Sequence, residues 1–210
     1  MNTLKNSYGL LPLLSKALNL WIRSKCDKVG ELNLQLEGST LRLLKGNLSA
    51  VRIIAREVIF EGILFEKVDL ISGSIHFSLD FKKYLGSVIL KKPFVVDGNA
   101  VIAADDLNNL LNSSSWSWLG LWMAEQLFQA PKLGELTIRN DLLEFEGPQP
   151  CLLESIDRRF SISAVGGTIS INNKGRNISV LLPMDEGIYI KRAFLSEGNL
   201  CLNATAKITA

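Results

Sequence analysis

Alternation of apolar and polar residues is the sequence feature that most restricts how this chain can fold. It begins at Gly30, after which leucines occupy every second position with polar residues between them: Leu32, Leu34 and Leu36. Successive side chains of a β-strand point to opposite faces of the sheet, so the pattern predicts a strand with one buried face. Similar stretches recur to Ile208, giving about ten predicted strands. Most are joined by short turns, which indicates an antiparallel sheet.

Turn residues mark where the predicted strands reverse. We predict tight turns at three places: Asn140–Asp141, Gly166–Gly167 and Glu197–Gly198. Leu41 to Leu43 is predicted to begin a return strand. The strand from Phe94 to Ile102 is predicted to be interrupted at Asp97–Gly98. Phe81 to Leu85 is predicted to form one helical turn.

Three segments carry a helical pattern. Residues 10–25 repeat apolar side chains at spacings of three and four, which predicts an amphipathic helix. Asp105 or Asp106 is predicted to cap a short helix that runs through Leu111, and Ser115 to cap a helix over residues 116–128. Because helices do not alternate with strands, a parallel Rossmann-like sheet is not expected.

These elements predict one α+β domain. A long antiparallel sheet is expected to pack on the N-terminal amphipathic helix and on the mid-chain helices. The domain is expected to cover residues 1–210 in this order: helix 10–25, first strand series 30–102, helices 105–128 and second strand series 134–208.

Apolar composition and balanced charge restrict the possible functions. Hydrophobic residues make up 47% of the chain, and the formal net charge is +2. The apolar excess can fill a core, line a cavity or face a membrane. No dense basic footprint is present, so no nucleic-acid partner is expected. Four lysines, Lys82, Lys83, Lys91 and Lys92, are interpreted as a solvated strand edge or, alternatively, as a site for anionic lipid headgroups.

The sequence offers little for catalysis or metal binding. His76 is the one histidine of the chain, and we interpret it as a solvated or edge-facing strand residue. The three cysteines, Cys26, Cys151 and Cys201, are far apart and form neither a disulfide framework nor a zinc pattern. We therefore predict a non-enzymatic protein with no catalytic residue, no metal and no cofactor.

Apolar residues crowd the segment from 116 to 128, which holds three of the four tryptophans. The apolar arc is too wide for a helix that packs on one side only. Either both sides are buried, or the second side contacts a ligand or a membrane, where tryptophan is favoured. Candidate lipid-binding residues come from this segment and from helix 10–25: Leu14, Leu18, Trp21, Trp116, Trp118, Leu119, Trp122, Met123 and Leu127.

Several short motifs resemble one known family: Leu18–Arg23, Gly30–Gly38, Ala104–Leu111, Ile190–Leu195 and Gly198–Leu202. Together they resemble the DUF2993 family, whose named branch is the LmeA-type phospholipid-binding proteins, and they are most similar to the shorter members from photosynthetic bacteria. The resemblance implies non-enzymatic phospholipid binding. It also implies a curved sheet wrapped around helices, as in tubular lipid-binding (TULIP-like) proteins. The named branch is exported behind a signal sequence, whereas the short apolar run Leu10–Leu14 predicts no signal peptide here.

We therefore expect binding or carrying of phospholipid, or of another amphiphile, at a membrane surface. The expected location is cytoplasmic or peripheral to a membrane, without a transmembrane helix. The alternative is a protein–protein interaction or membrane-complex assembly module that uses the same apolar surfaces to dock a protein partner. A third hypothesis is a hydrolase whose serine the sequence does not expose.

Overall fold

The computed structural model describes residues 10–80, 87–146, 158–173 and 175–209. The helices in this part of the chain are α1 (Leu10–Lys25), α2 (Thr40–Leu44), α3 (Ala104–Asn112) and α4 (Ser117–Phe128). The strands are β1 (Lys28–Glu37), β2 (Asn47–Leu48), β3 (Ala50–Phe60), β4 (Ile63–Ser72), β5 (Ile75–Asp80), β6 (Ser87–Leu90), β7 (Phe94–Ala103), β8 (Glu135–Arg139), β9 (Leu142–Glu146), β10 (Arg159–Val165), β11 (Thr168–Asn173), β12 (Ile178–Leu181), β13 (Ile188–Ser196) and β14 (Asn199–Ile208). The predicted α+β class is confirmed.

The largest layer is a six-stranded sheet with the order β1-β3-β4-β7-β14-β13, and all five pairings in it are antiparallel. Residues directly opposite each other across such pairs point to the same face. The pairings therefore place an almost wholly apolar set on one side, which we call the inner face: Leu32, Leu34, Leu36, Val51, Ile53, Ala55, Val68, Leu70, Val96, Ala100, Ile102, Ile188, Ile190, Ala193, Leu195, Leu200, Leu202, Ala204 and Ala206.

The opposite side, which we call the outer face, is largely polar and exposed. Arg52 and Asp69 form an ion pair there at 2.8 Å. Asp97 accepts hydrogen bonds from Thr205 on the neighbouring strand β14 and from Lys191 on β13, one strand further on. The alternation of apolar and polar residues in the sequence thus corresponds to one apolar and one polar face of the sheet.

Two separate layers cover the margins of the inner face. At the β1–β3 margin, Leu14 of α1, Leu43 of α2 and Phe77 of β5 pack with Val51 in one buried cluster. At the β13–β14 margin lies a five-stranded sheet of order β12-β11-β10-β9-β8. Its Ile169 packs with inner-face residues of β13 in a second cluster.

A third cluster joins α4 to the five-stranded sheet. Phe145 and Phe160 of the sheet meet Phe128 of α4 in edge-to-face contacts, with ring centroids 5.5–5.7 Å apart. Phe160 is completely buried, as is nearly all of Leu127. Edge-to-face packing suits the ring quadrupoles and fixes the orientation of α4 on the sheet.

The turn predictions are confirmed by backbone geometry. Asn140 and Asp141 have φ of 49° and 57°, as a tight hairpin of two residues requires. Gly166 and Gly167 also adopt positive φ, as do Glu197 and Gly198. Helix α1 has the predicted bounds, 10–25.

Two local predictions are wrong. Leu41 to Leu43 forms the short helix α2, begun by Ser39, whose hydroxyl accepts a hydrogen bond from the Arg42 amide. Strand β7 runs without interruption through Asp97–Gly98, because both residues are paired with strands on either side. The predicted helical turn at 81–85 lies outside the described residues.

The predicted helix caps are also wrong. Helix α3 begins directly after Ala103, which makes no side-chain cap, so Asp105 and Asp106 lie inside its first turn. Helix α4 begins after Trp116, and the hydroxyl that reaches this turn is that of Ser113, which accepts a hydrogen bond from the Trp116 amide.

Asn108 of α3 holds the edge strand of the five-stranded sheet. Its Oδ1 accepts a hydrogen bond from the Leu136 amide at 2.8 Å, and its Nδ2 donates to the Leu136 carbonyl oxygen. One side-chain amide therefore satisfies both backbone groups that Leu136 of β8 turns away from β9. This contact ties the mid-chain helices to the sheet.

We expect Asn108→Ala to lower the free energy of unfolding by about 2 kcal/mol, because two hydrogen bonds are lost and the strand edge is left unpaired. Urea denaturation measures the change. Asn112→Ala is the matched control, since Asn112 is exposed on the same helix, and it should cost less than about 0.5 kcal/mol. Equal losses in the two variants would contradict the role given to Asn108.

Candidate functional site: an apolar trough on the inner face

The centre of the inner face is a trough between the two covering layers. Its floor includes Val68, Leu70, Val96 and Ala100, each of which is only partly buried. These four residues belong to none of the three core clusters that the described residues form. Apolar surface that stays half-open between two packed layers is suited to an apolar ligand.

Small side chains make the trough deepest along β7 and β14. Gly98 lies opposite Ala204, and Ala100 and Ala206 lie one step away on the same face. Larger side chains stand on both sides of this strip, with Leu70 towards β4 and Ile190 towards β13. The strip from Val96 to Ala100 is about 13 Å long at about 3.3 Å per residue.

The two ends of the trough differ. At one end Ile102 and Leu200 are buried, and α3 follows directly from β7 and packs beside β4. At the other end, which we call the mouth, Ile188 and Ile208 are 40% and 36% exposed. The trough is therefore closed towards α3 and open at the mouth.

Lys91 and Lys92 lie at the mouth. They directly precede β7, whose first residue Phe94 is paired with Ile208, and both lysines are exposed. The Lys91 amide donates to the His76 carbonyl oxygen, which fixes this turn against β5. Lys82 and Lys83, the other predicted headgroup residues, lie outside the described residues.

Trp116 and Trp118 lie at the opposite end of the sheet. Trp116 Nε1 donates to the Glu61 carbonyl oxygen in the β3–β4 turn, and the two indole rings stack with centroids 6.1 Å apart. Strand β7 has ten residues, so this end, which we call the tryptophan end, is about 30 Å from the mouth. The structure therefore does not bring Trp116 and Trp118 into one surface with Lys91 and Lys92.

Helix α1 reaches both ends. Leu14 is buried beside Phe77, and Leu18 packs against the same cluster near the mouth side. After the last turn, the Asp27 carboxylate accepts a hydrogen bond from the Gly62 amide, in the turn that also holds Trp116. Trp21 is 54% exposed close to this end of the helix. Leu14 and Leu18 thus form part of a trough wall, whereas Trp21 belongs to the tryptophan end.

Helix α4 is buried on one side and exposed on the other. Met123 and Leu127 are buried in the third cluster, and Leu119 and Trp122 pack against it partly exposed. Trp118 is 50% exposed, and Leu121, one turn further on, is also exposed. Of the two interpretations of this segment, core burial holds for one side of the helix and an open apolar surface for the other.

A small pocket of about 210 Å³ lies between α3, α4 and the segment that leads into β8. Its apolar lining includes Leu111, Leu121 and Leu133, and its polar lining includes Ser117 and Lys132. Gly120 permits the two helices to approach closely here, since a Cβ on it would meet the Leu111 carbonyl oxygen at 2.8 Å. The pocket lies at the tryptophan end and is separate from the trough.

The charged groups near the trough are paired on the outer face. The hydrogen bond from Arg52 lowers the pKa of the Asp69 carboxyl, and the hydrogen bonds from Lys191 and then Thr205 lower that of Asp97. These carboxylates stay ionised and engaged, which suits sheet stabilisation more than acid–base chemistry. Burial raises the pKa of the Cys201 thiol, which makes it a poor nucleophile.

His76 is half-buried in the middle strand of a three-stranded sheet of order β2-β5-β6. Its backbone is paired with Asn47 on one side and accepts a hydrogen bond from the Lys91 amide on the other, so it does not lie on a sheet edge. In the described part of the chain, no group of three or more histidine, cysteine, aspartate or glutamate side chains is placed to hold a metal ion. No helix among the described residues is both long and apolar enough to cross a membrane.

An open apolar trough in an α+β protein is suited to an amphiphilic ligand. Residues 9–184 match the model of a family described as LmeA-like phospholipid-binding. The chain belongs to this family, which confirms the resemblance seen in its motifs. It is a binding family, and membership supports a lipid partner in general. Neither the curated proteins nor the solved structures include a significant match to the chain.

Replacing side chains by alanine should destabilise the protein more on the buried side of α4 than on its exposed side. We expect Met123→Ala and Leu127→Ala each to lower the free energy of unfolding by about 3 kcal/mol, because each leaves a cavity in the core. Trp118→Ala should cost less than about 1 kcal/mol, because half of this side chain is already in solvent. Chemical denaturation of the three variants tests this, and a Trp118→Ala loss as large as the other two would place Trp118 in the core.

Proposed function

We propose that this protein binds a phospholipid by its acyl chain and carries it to or from a membrane surface, with the trough as the acyl-chain site. The half-open inner face at Val68, Leu70, Val96 and Ala100 is the observation that carries the proposal. A sheet face of this kind costs free energy while it is exposed to water. Burying acyl chain against it gains about 0.8 kcal/mol per methylene.

In this proposal the acyl chain enters the trough through the mouth. The α3 end is closed by buried side chains, whereas Ile188 and Ile208 leave the mouth open. An acyl chain that slides in tail-first leaves its headgroup outside, beside Lys91 and Lys92. Their positive charge suits an anionic phosphate, and lysines near an anionic surface contribute about 1 kcal/mol each. Membrane contact is therefore proposed at the mouth.

A protein-docking role is the second candidate, and the tryptophan end favours it. Trp21, Trp118 and Leu121 are exposed there, about 30 Å from the mouth. A surface so far from the mouth does not contact an acyl chain that enters through the mouth. Exposed tryptophans with apolar neighbours are typical of protein interfaces as well as of membrane contacts.

Blocking the trough tests the acyl-chain site. We expect Ala206→Phe to abolish saturable binding of a fluorescent fatty acid, because the ring would fill the strip between Val96 and Ile188. Val95→Phe is the matched control, since Val95 lies on the outer face of the adjacent strand and is already exposed. Equal binding by the two variants, with unchanged melting temperatures, would refute the trough as the site.

Neutralising the mouth tests the membrane contact. Lys91→Gln/Lys92→Gln should weaken binding to vesicles of phosphatidylcholine and phosphatidylglycerol by about thirtyfold, from about 1 kcal/mol for each lysine. Added salt should weaken the wild-type protein in the same direction. Lys25→Gln/Lys28→Gln removes the same charge at the tryptophan end and should have little effect. A larger effect of this control pair would move the membrane contact to the tryptophan end.

A further inference from the structure

The side chain of Leu70 lies across the floor of the trough. Leu70 on β4 and Gly98 on β7 are directly opposite each other on the inner face. A Cβ built on Gly98 would collide with Leu70 Cδ2, which therefore occupies the space that any other residue at position 98 would fill. The leucine leans over the neighbouring strand and leaves the room above it free.

Gly98 is not explained by its backbone. Its φ is not in the left-handed region, unlike Gly166 and Gly167, which need that conformation for their turn. Glycine in the middle of a strand is unfavourable because it packs nothing and loses the most chain entropy. The close approach of Leu70 Cδ2 is the feature of the structure that favours glycine here, since a Cβ at position 98 would displace this methyl group.

The position of Leu70 matters because of what surrounds it. Beyond Gly98 the same cross-strand row continues to Ala204 and then to Ile190. Leu70 therefore lies beside the small-residue strip, between the wall formed with Ile53 and the deepest part of the floor. Any rise of this side chain narrows the trough near its middle.

We propose that Leu70, held flat by Gly98, sets the depth of the trough and restricts it to unbranched acyl chains. This rests on the proposed function, since it concerns the same acyl-chain site. A linear chain passes over the leucine methyl groups in van der Waals contact. A methyl-branched chain needs the additional space that Leu70 occupies, and interiors packed at protein density do not yield it without cost.

Two single variants and their combination test the arrangement. Gly98→Ala should force Leu70 upward into the trough and weaken binding of a linear fluorescent fatty acid about tenfold, the equivalent of about two methylenes of lost burial. Leu70→Ala/Gly98→Ala should restore binding, because the obstructing side chain is gone. Gly73→Ala is the matched control, since a Cβ there would meet only the Val95 carbonyl oxygen, at 3.8 Å.

Chain selectivity supplies a readout that a purely structural role would not change. Competition between palmitic acid and a methyl-branched acid of equal carbon number should favour the linear acid in the wild-type protein. Leu70→Ala should remove most of this preference while retaining binding and a folded melt.

The outcomes separate the two proposals. Absence of saturable fatty-acid binding by the wild-type protein would overturn the proposed function and this inference together. Wild-type binding with an unchanged preference in Leu70→Ala, or with no loss in a folded Gly98→Ala variant, would overturn the role of Leu70 alone. Failure of the double variant to recover, when it melts as the wild type does, would also overturn it.

Discussion

The exclusion of water from the inner face of the six-stranded sheet is the constraint on which the rest of this structure depends. Six adjacent strands present a wide apolar surface, and a single helix or hairpin is too narrow to cover it. Helix α1 and its neighbours cover one margin, and the five-stranded sheet covers the other. The strip between them is the trough, so the binding site follows from the width of the sheet and the spacing of its two covers.

The two ends of the trough differ, which gives the trough a direction along the strands. One end is sealed where β7 turns into α3, and the buried Ile102 and Leu200 mark that seal. The other end opens beside two exposed lysines. An amphiphile has the same asymmetry, with an apolar tail and a charged head, so the molecule and its proposed ligand match end to end. The tryptophan end takes no part in this correspondence, so we propose a different contact, with a protein partner, for it.

The sequence predicted the strands well because alternation and turn residues are local signals. The hairpin at Asn140–Asp141 and the bounds of α1 follow from neighbours in the chain. The helix α2 was missed because three residues, Leu41 to Leu43, are too few to distinguish helical from strand periodicity. Its capping residue Ser39 is the signal that favours a helix at this point.

The candidate site was harder to predict, because it depends on register. Leucines and alanines along β4, β7 and β14 look alike in the sequence, and only strand pairing shows that Gly98, Ala204 and Ala206 form one strip. Chemistry alone groups Lys91 and Lys92 with Trp116 and Trp118, yet the ten residues of β7 separate the two pairs to opposite ends of the sheet. For α4, the composition indicates a helix that is apolar on two sides, but only its packing shows which tryptophan faces the solvent.

The Asn108 amide has a consequence for solubility. Strand β8 is the edge of its sheet, and an exposed edge is a template for pairing with another chain. Asn108 occupies both backbone groups of Leu136, so α3 blocks another chain from pairing with β8 at this residue. The same helix seals the trough. Any motion that lifted α3 to lengthen the trough would also expose this strand edge to pairing with another chain, so the proposed route of the acyl chain is restricted to the mouth.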